Sequence, residues 1–343
     1  MTSTNDDSKR RTSESTSDAA STAPTAATSV SVGKQYDVKG KTALITGAGS
    51  GINFCFAKLL VSKGCNVMIA DLALRPESQA LVDEYNGKDE SKPRASFVKT
   101  DVTVWSELNA MFKACYSEFG ALDVVCPGAG IFEPGWSNFW HPPGSPESGD
   151  PVDGNGYKLL DVNVVHPIRT TQLAIAEFLN PLQGLKVSPA NVKQIVHISS
   201  MAGQTFGLPA PLYIASKHAI NGFVRCMGGL EKPLGIKVTG VAPGVVKTPL
   251  FLENPDKLKS VDQERDIWVT PEEVAEGMLR CMESEELPGG TILEIGAGVT
   301  RKVEAFNDPG PLERPGMTSS NMQVKIDEVF EWLAKEGWGK TGI

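Results

Sequence analysis

From about residue 41 to residue 295 the chain alternates short apolar runs with longer stretches of helical period. The runs cover 42–46, 66–70, 95–98, 122–126, 194–198, 237–241 and 291–295. A helical pattern follows the first run through Phe54, Ala57, Leu60 and Val61, and others fall near 105–119, 157–180, 212–230 and 271–283. Short runs that are apolar throughout, rather than on alternate residues, read as strands buried on both faces. Buried strands alternating with helices imply an α/β fold, a single doubly wound parallel sheet with helices on both faces. Residues 34–300 carry this pattern.

Two stretches break the rhythm. Residues 131–157 hold Pro, Gly, Trp and Ser with little periodicity, as do parts of 249–270. Long loops inside a compact domain tend to be functional, so both are expected to border a substrate. A C-terminal extension, 301–343, opens with a proline-rich excursion over 301–320. It closes with an amphipathic helix over 321–336, with Met322, Ile326, Val329, Phe330 and Leu333 on one side. At the other end, fifteen of the first 31 residues are Ser or Thr and none is aromatic. Such a segment cannot bury enough apolar surface to offset its ordering entropy, so 1–33 reads as a disordered tail.

A formal net charge of -8 argues against a nucleic-acid partner and against an anionic membrane surface. No apolar run approaches the roughly 20 residues needed to cross a bilayer. Cysteines 55, 65, 115, 126, 226 and 281 form no Cys-x-x-Cys, and only four histidines accompany them, so no metal site is expected. Unpaired, scattered cysteines suit a reducing compartment, and a cytoplasmic location is the expectation.

The first run ends in Thr46-Gly47-Ala48-Gly49-Ser50-Gly51-Ile52-Asn53 and passes directly into the first helix. Glycines there permit a tight turn and let backbone approach a pyrophosphate, while the helix start offers unpaired N–H groups. Asp71 follows 24 residues after Gly47, at the end of the second run, with Leu72 beside it. A carboxylate at that place accepts hydrogen bonds from ribose hydroxyls and repels a 2′-phosphate, which favours NAD over NADP. Arg75 complicates that preference. Asp101 and Val102, after the third run, have two readings: they frame an adenine, or they form an ordinary turn.

Tyr213 and Lys217 lie four residues apart, on one helix face. An ammonium one turn away is expected to favour the phenolate and lower the Tyr213 pKa. Ser200 precedes Tyr213 by 13 residues and is a candidate to hold the oxygen of an alcohol or ketone. Ser199 is expected to be a structural neighbour, because adjacent strand residues face opposite ways. His197 and His218 read as packing residues. Trp136, Trp140, Phe206, Leu250 and Phe251 are expected to line an apolar substrate pocket, with Leu250, Phe251 and Trp268 as a lid. Phe139 is a further aromatic of the first loop.

Together these elements, from about residue 37 to residue 299, resemble the short-chain dehydrogenase/reductase family, which has a Rossmann-type fold. Thr46-Gly47-x-x-x-Gly51-x-Asn53 looks like the family's cofactor turn. Asp161-Val162-Asn163 looks like the segment with its catalytic Asn, Ile198-Ser199-Ser200 like its catalytic Ser, and Tyr213-Ile214-Ala215-Ser216-Lys217 like its Tyr-x-x-x-Lys. Pro243-Gly244-Val245-Val246-Lys247-Thr248 looks like the segment that binds the nicotinamide carboxamide. The resemblance also implies contacts to the cofactor from Gly128 and Ala129. Within the family the Tyr-Ile-Ala-Ser-Lys-His stretch is similar to the branch of NAD-dependent 15-hydroxyprostaglandin dehydrogenase. The loop from Trp136 to Gly144 looks like filamentous-fungal relatives of that branch, some acting on polyketide-type secondary alcohols.

What the resemblance implies is a secondary-alcohol oxidoreductase. Tyr213 takes the hydroxyl proton, Lys217 binds the nicotinamide ribose, Ser200 holds the reacting oxygen, and Asn163 anchors a water that leads to solvent. It also implies a homodimer or homotetramer formed through the helices near 157–180 and 212–230. Three departures stand out. Asn53 replaces a glycine. Cys126-Pro127-Gly128-Ala129-Gly130 replaces a stretch with two asparagines before the Ala-Gly. Ala210 falls where the prostaglandin branch has a substrate-contacting Gln. An NADPH-dependent ketoreductase of secondary metabolism is the alternative, and a non-catalytic nucleotide sensor is the alternative of another class.

Overall fold

Eight strands are present: β1 (Thr42–Thr46), β2 (Asn66–Asp71), β3 (Ala95–Lys99), β4 (Val124–Cys126), β5 (Lys193–Ile198), β6 (Ile236–Pro243), β7 (Ile292–Gly296) and β8 (Val299–Lys302). They form one sheet in the order β3-β2-β1-β4-β5-β6-β7-β8. All neighbours pair in parallel except β7 and β8, which are antiparallel. The computed structural model describes residues 36–87, 89, 92–253, 258, 262, 266–305 and 322–340. They belong to one compact unit, Gln35–Ile343. The tail expected over 1–33, most of the excursion expected over 301–320 and much of the 249–270 loop lie outside the described residues.

The runs became strands because their side chains are buried on both faces. Every residue of β1 and of β6 is buried. On one face, Phe56 and Leu60 of α1 (Gly51–Ser62) pack with Met278 and Leu279 of α6 (Pro271–Glu283). On the other, Leu108 and Phe112 of α3 (Trp105–Phe119) pack with Leu173 and Phe178 of α4 (His166–Leu179). Each large side chain so buried contributes about 1.5–3 kcal/mol. A smaller cluster joins Ile220 and Val224 of α5 (Pro211–Met227) to the sheet. Helix α6 starts with a complete capping box between Thr270 and Glu273.

Two elements were not expected. Helix α2 (Pro76–Tyr85) buries only Ser78 and Leu81, so its apolar period is faint. Strand β8 is exposed along its length, and lies where the proline-rich excursion was expected to begin. It is held by pairing with β7 and by the forked Glu294–Arg301 ion pair, with both contacts at 2.8 Å. The closing helix is α7 (Met322–Ala334). Its packed stripe is narrower than the sequence implied. Leu333, Phe330 and Trp338 join the α3–α4 cluster, whereas Ile326 and Val329 are exposed.

The sheet positions the site. Strand β1 pairs with β2 on one side and β4 on the other, so the strand order reverses there. Chains leaving the carboxyl ends of β1 and β4 diverge and open a crevice, where ligands of such folds bind.

Candidate active site

That crevice is a cavity of about 450 Å3. It is lined by Gly47, Ser50, Gly51, Ile52, Asn53, Asp71, Leu72, Asp101, Val102, Gly128 and Ala129, and by Ser200, Tyr213, Lys217, Pro243, Gly244, Val246 and Thr248. Every expected cofactor contact except Gly49 is in that lining. Gly49 sits behind it. A Cβ at Gly49 would lie 2.3 Å from the Ala73 oxygen and 2.8 Å from Asp71 Oδ2. Its N–H instead donates to Asp71 Oδ2 at 2.8 Å, while the Leu72 N–H donates to Asp71 Oδ1 at 2.7 Å. The carboxylate is thus fixed at the strand end, with lone pairs left over for hydroxyl donors.

Gly47 shows why the turn must be glycine. It has φ of 73°, and a Cβ there would meet Ala129 Cα at 2.7 Å. The turn therefore packs directly against Ala129 in the chain leaving β4. These residues fit a nicotinamide dinucleotide: a glycine cradle at a helix start, a carboxylate at the β2 end and a proton-transfer group at the other end of the cavity.

Asn53 and Gly128, both departures from the family pattern, are packed against each other. A Cβ at Gly128 would lie 2.3 Å from Asn53 Oδ1, and the Cys126 thiol faces the same oxygen at 3.8 Å. The Asn53 amide fills the volume that a side chain at 128 would need. Asp101 has two features. It lines the cavity, and it is also a turn residue whose Oδ1 accepts from the Thr103 N–H and hydroxyl at 2.9 Å and 2.6 Å. Those bonds hold its carboxyl below the usual range.

At the other end, the Tyr213 hydroxyl is hydrogen-bonded to Ser200. The Ser200 Oγ also accepts from the Ala202 N–H at 3.1 Å. The Lys217 ammonium lies 5.4 Å from the Tyr213 ring centroid and donates to the Ile198 carbonyl at 3.0 Å. Ser199 donates to the Lys217 carbonyl at 3.3 Å, so it fixes the helix backbone, although it too borders the cavity.

The electrostatics differ from the simple expectation. Burial raises the Tyr213 phenol, and the hydrogen bond with Ser200 opposes that rise. Burial likewise pushes the Lys217 ammonium down to about 8. Desolvation therefore dominates the pair and drives both groups toward neutrality. A lowered phenol from the neighbouring ammonium is not what this arrangement produces.

Asn163 sits in a single π-helical turn, Asp161–Val165, at the start of the helical run that continues as α4. Such turns are rare and recur at functional sites. Its Oδ1 accepts from the Ile131 N–H at 2.9 Å, and its Nδ2 donates to the Ile131 carbonyl at 2.8 Å and to Ser216 Oγ at 3.3 Å. The Ser216 hydroxyl in turn donates to the Tyr213 carbonyl at 2.6 Å. The amide thus ties the entry of the 131–157 loop to the helix of Tyr213.

The buried Glu133 was missed by sequence reasoning. Its two oxygens accept from the Tyr213 N–H at 2.9 Å and the Phe139 N–H at 3.0 Å. It caps the start of α5 from outside that helix and anchors the aromatic loop. Nothing in the sequence distinguishes it from a surface glutamate. The buried His166 was missed as well. Its Nδ1 faces the Val162 carbonyl at 3.0 Å, so that nitrogen carries the proton, and its Nε2 accepts from Thr46 Oγ1 at 3.0 Å. Thr46 Oγ1 in turn accepts from the Ala129 N–H at 3.2 Å. Burial pushes His166 down to about 4 and His197 to about 3, so both are neutral. His197 of β5 packs against Thr171 and Phe223, and His218 faces the Ile214 carbonyl, as packing residues do.

Of the expected substrate residues, Trp136, Leu250 and Phe251 line the cavity. Phe206 does not, being 97% exposed. Nor does Trp140, whose indole N–H donates to the Leu208 carbonyl at 2.8 Å and pins the loop. Phe132 is not in that lining but packs behind two residues that are. Its ring lies 4.6 Å from the Tyr213 ring and 5.9 Å from Phe251, which in turn meets Trp268 edge-on at 6.0 Å.

A doubly wound sheet with a glycine cradle, a strand-end carboxylate and a Ser–Tyr–Lys cluster defines a nucleotide-dependent oxidoreductase. The chain belongs to the short chain dehydrogenase family, whose pattern it matches over residues 41–259. It is an oxidoreductase that acts on CH–OH groups and uses an NAD(P)-type nucleotide. It is 28% identical over 277 residues to 15-hydroxyprostaglandin dehydrogenase [NAD(+)] of Rattus norvegicus, covering 76% of this chain and 92% of that one. It is 31% identical over 214 residues to trans-4-hydroxycyclohexanecarboxylate dehydrogenase of Sinomonas cyclohexanicum, covering 61% and 74%. Among solved structures, 3-ketoacyl-(acyl-carrier-protein) reductase from Brucella melitensis complexed with NADH superposes with a TM-score of 0.59. The identity there is 25%, over 76% of this chain and 98% of that one. No helix among the described residues is long and apolar enough to cross a membrane.

Proposed function

We propose that the protein interconverts a secondary alcohol and a ketone on a small apolar or aromatic substrate, with NAD as its dinucleotide. The observation that carries this reading is the Tyr213–Ser200 hydroxyl pair beside Lys217, with apolar walls from Ile131, Trp136, Leu250 and Phe251 in the same cavity. NAD, when bound, supplies the hydride acceptor. Ser200 holds the substrate oxygen by its hydroxyl. Tyr213 takes the hydroxyl proton in oxidation and returns it in reduction. Lys217, fixed on the Ile198 carbonyl, keeps a protonatable group beside the phenol. Asn163 and Glu133 hold the Tyr213 backbone from two sides.

The preference for NAD is supported by Asp71, whose carboxylate stands where a 2′-phosphate would have to approach. It is further supported by the NAD(+) and NADH in the names of the relatives and neighbour. Dissociation constants for NADH and NADPH test it, and tighter NADPH binding would replace it with the ketoreductase reading. A panel of hydroxylated and keto aromatic compounds, followed by NADH absorbance, tests the substrate class. Turnover confined to polar aliphatic alcohols would overturn it. We propose also that the chain pairs with itself through α4 and α5; Ile168 of α4 and Val165 just before it are exposed. Light scattering that returns only monomer mass would exclude that.

A further inference from the structure

Arg75 follows Asp71 by four residues and is tied to the glycine turn, its N–H donating to the Gly49 carbonyl at 3.3 Å. Its guanidinium is exposed but paired. It forks onto the Glu253 carboxylate, NH1 to Oε1 and NH2 to Oε2, each at 2.6 Å. Glu253 lies 178 residues away, at the end of the short helix Pro249–Leu252 that contributes Leu250 and Phe251 to the cavity wall. The pair thus joins the Asp71 end of the crevice to the segment beside Tyr213.

A paired fork has a consequence for selectivity. A 2′-phosphate on the adenosine ribose needs a cation within reach of the hydroxyls that Asp71 is placed to hold, and Arg75 is the cation four residues from Asp71. Guanidinium binds carboxylate and phosphate through the same kind of planar N–H pair, and Glu253 takes the NH1/NH2 pair of Arg75. With Glu253 in place, a phosphate must compete with a carboxylate for that edge and for the guanidinium charge.

We propose that Glu253, on the substrate-side segment, is a cofactor-specificity residue: by pairing with Arg75 it competes for a cation that would otherwise favour a 2′-phosphorylated dinucleotide. This rests on reading the cavity as a dinucleotide site. The energetic direction follows from charge. Removing Glu253 releases a charged donor pair and removes one negative charge from the neighbourhood of Asp71, and both changes favour a phosphate.

The test is equilibrium binding of NADH and NADPH to the full chain and to Glu253→Gln, Arg75→Ala and the double variant, by quenching of tryptophan fluorescence. Both residues are exposed, so folding is preserved in every variant. Glu253→Gln should tighten NADPH about tenfold, the scale of one charge-assisted hydrogen bond, and change NADH by less than about threefold. The double variant should lose that gain. Unchanged NADPH binding in Glu253→Gln, or a gain that survives in the double variant, overturns the inference while the cofactor reading stands. If the native chain binds neither dinucleotide, the cofactor reading itself fails and takes this inference with it.

Discussion

Gly128→Ala is a perturbation whose effect follows from coordinates alone. The added methyl carbon would stand 2.3 Å from Asn53 Oδ1 and 2.6 Å from its Cγ and Nδ2. Real contacts of that kind open to at least about 3 Å, so something must move. The Asn53 side chain has little room to retreat, being only 7% exposed on a helix, α1, that packs against α6. Overpacking of this sort destabilises by about 1–3 kcal/mol. At about 2–4 °C per kcal/mol for a chain somewhat under this size, the melting temperature should fall by roughly 2–12 °C. Asn53→Ala removes the obstruction and should cost about 1 kcal/mol alone through lost packing. The double variant should then recover at least about 1 kcal/mol relative to the sum of the single changes. Urea unfolding followed by tryptophan fluorescence measures all three. If the double variant is additive within about 0.5 kcal/mol, Asn53 and Gly128 do not share the volume assigned to them.

Glu133→Gln leaves a single carbonyl for two N–H donors, so Tyr213 loses part of its backbone anchor. Turnover should fall about tenfold, one hydrogen bond's worth, with the NADH dissociation constant within about twofold of native. The reverse pattern would show that Glu133 serves the cofactor and not Tyr213. Acid should destabilise the protein through its buried imidazoles. The folded values, about 4 for His166 and about 3 for His197, lie below the ordinary value of 6.5. The unfolded chain therefore binds more protons over that interval, and stability is full above about pH 6.5 and lost as pH falls toward the folded values. Each histidine should remove about 2 kcal/mol between roughly pH 7 and pH 5, readable as a drop in the urea midpoint. A midpoint flat across that interval would mean the imidazoles are hydrated.

The sheet was legible because its strands are buried on both faces, as the fully buried β1 and β6 show. The same logic hides α2 and β8, which bury almost nothing and are fixed by contacts to distant residues. Site residues at strand ends and helix starts, such as Gly47, Asp71 and Tyr213, could be placed because those positions are set by the topology. Side-chain direction within a loop is not set that way. Phe206 and Trp140 were recognisable as aromatic, yet one faces solvent and the other spends its indole on Leu208. Glu133 acts through backbone N–H groups 80 and 6 residues away, which no spacing rule announces. The Tyr213–Lys217 spacing placed the pair correctly but not its charge state, because desolvation depends on the walls around it and those come from other elements.

Tyr213→Phe tests proton transfer at this site most directly. The phenyl ring keeps its packing against Phe132 and loses only the hydroxyl that faces Ser200. On any alcohol the native protein oxidises, turnover should fall by about 10²–10⁴, the range of general acid–base catalysis, with NADH affinity within about twofold of native. Turnover equal to native, measured as NADH formed per unit time, would contradict the assignment of proton transfer to this residue.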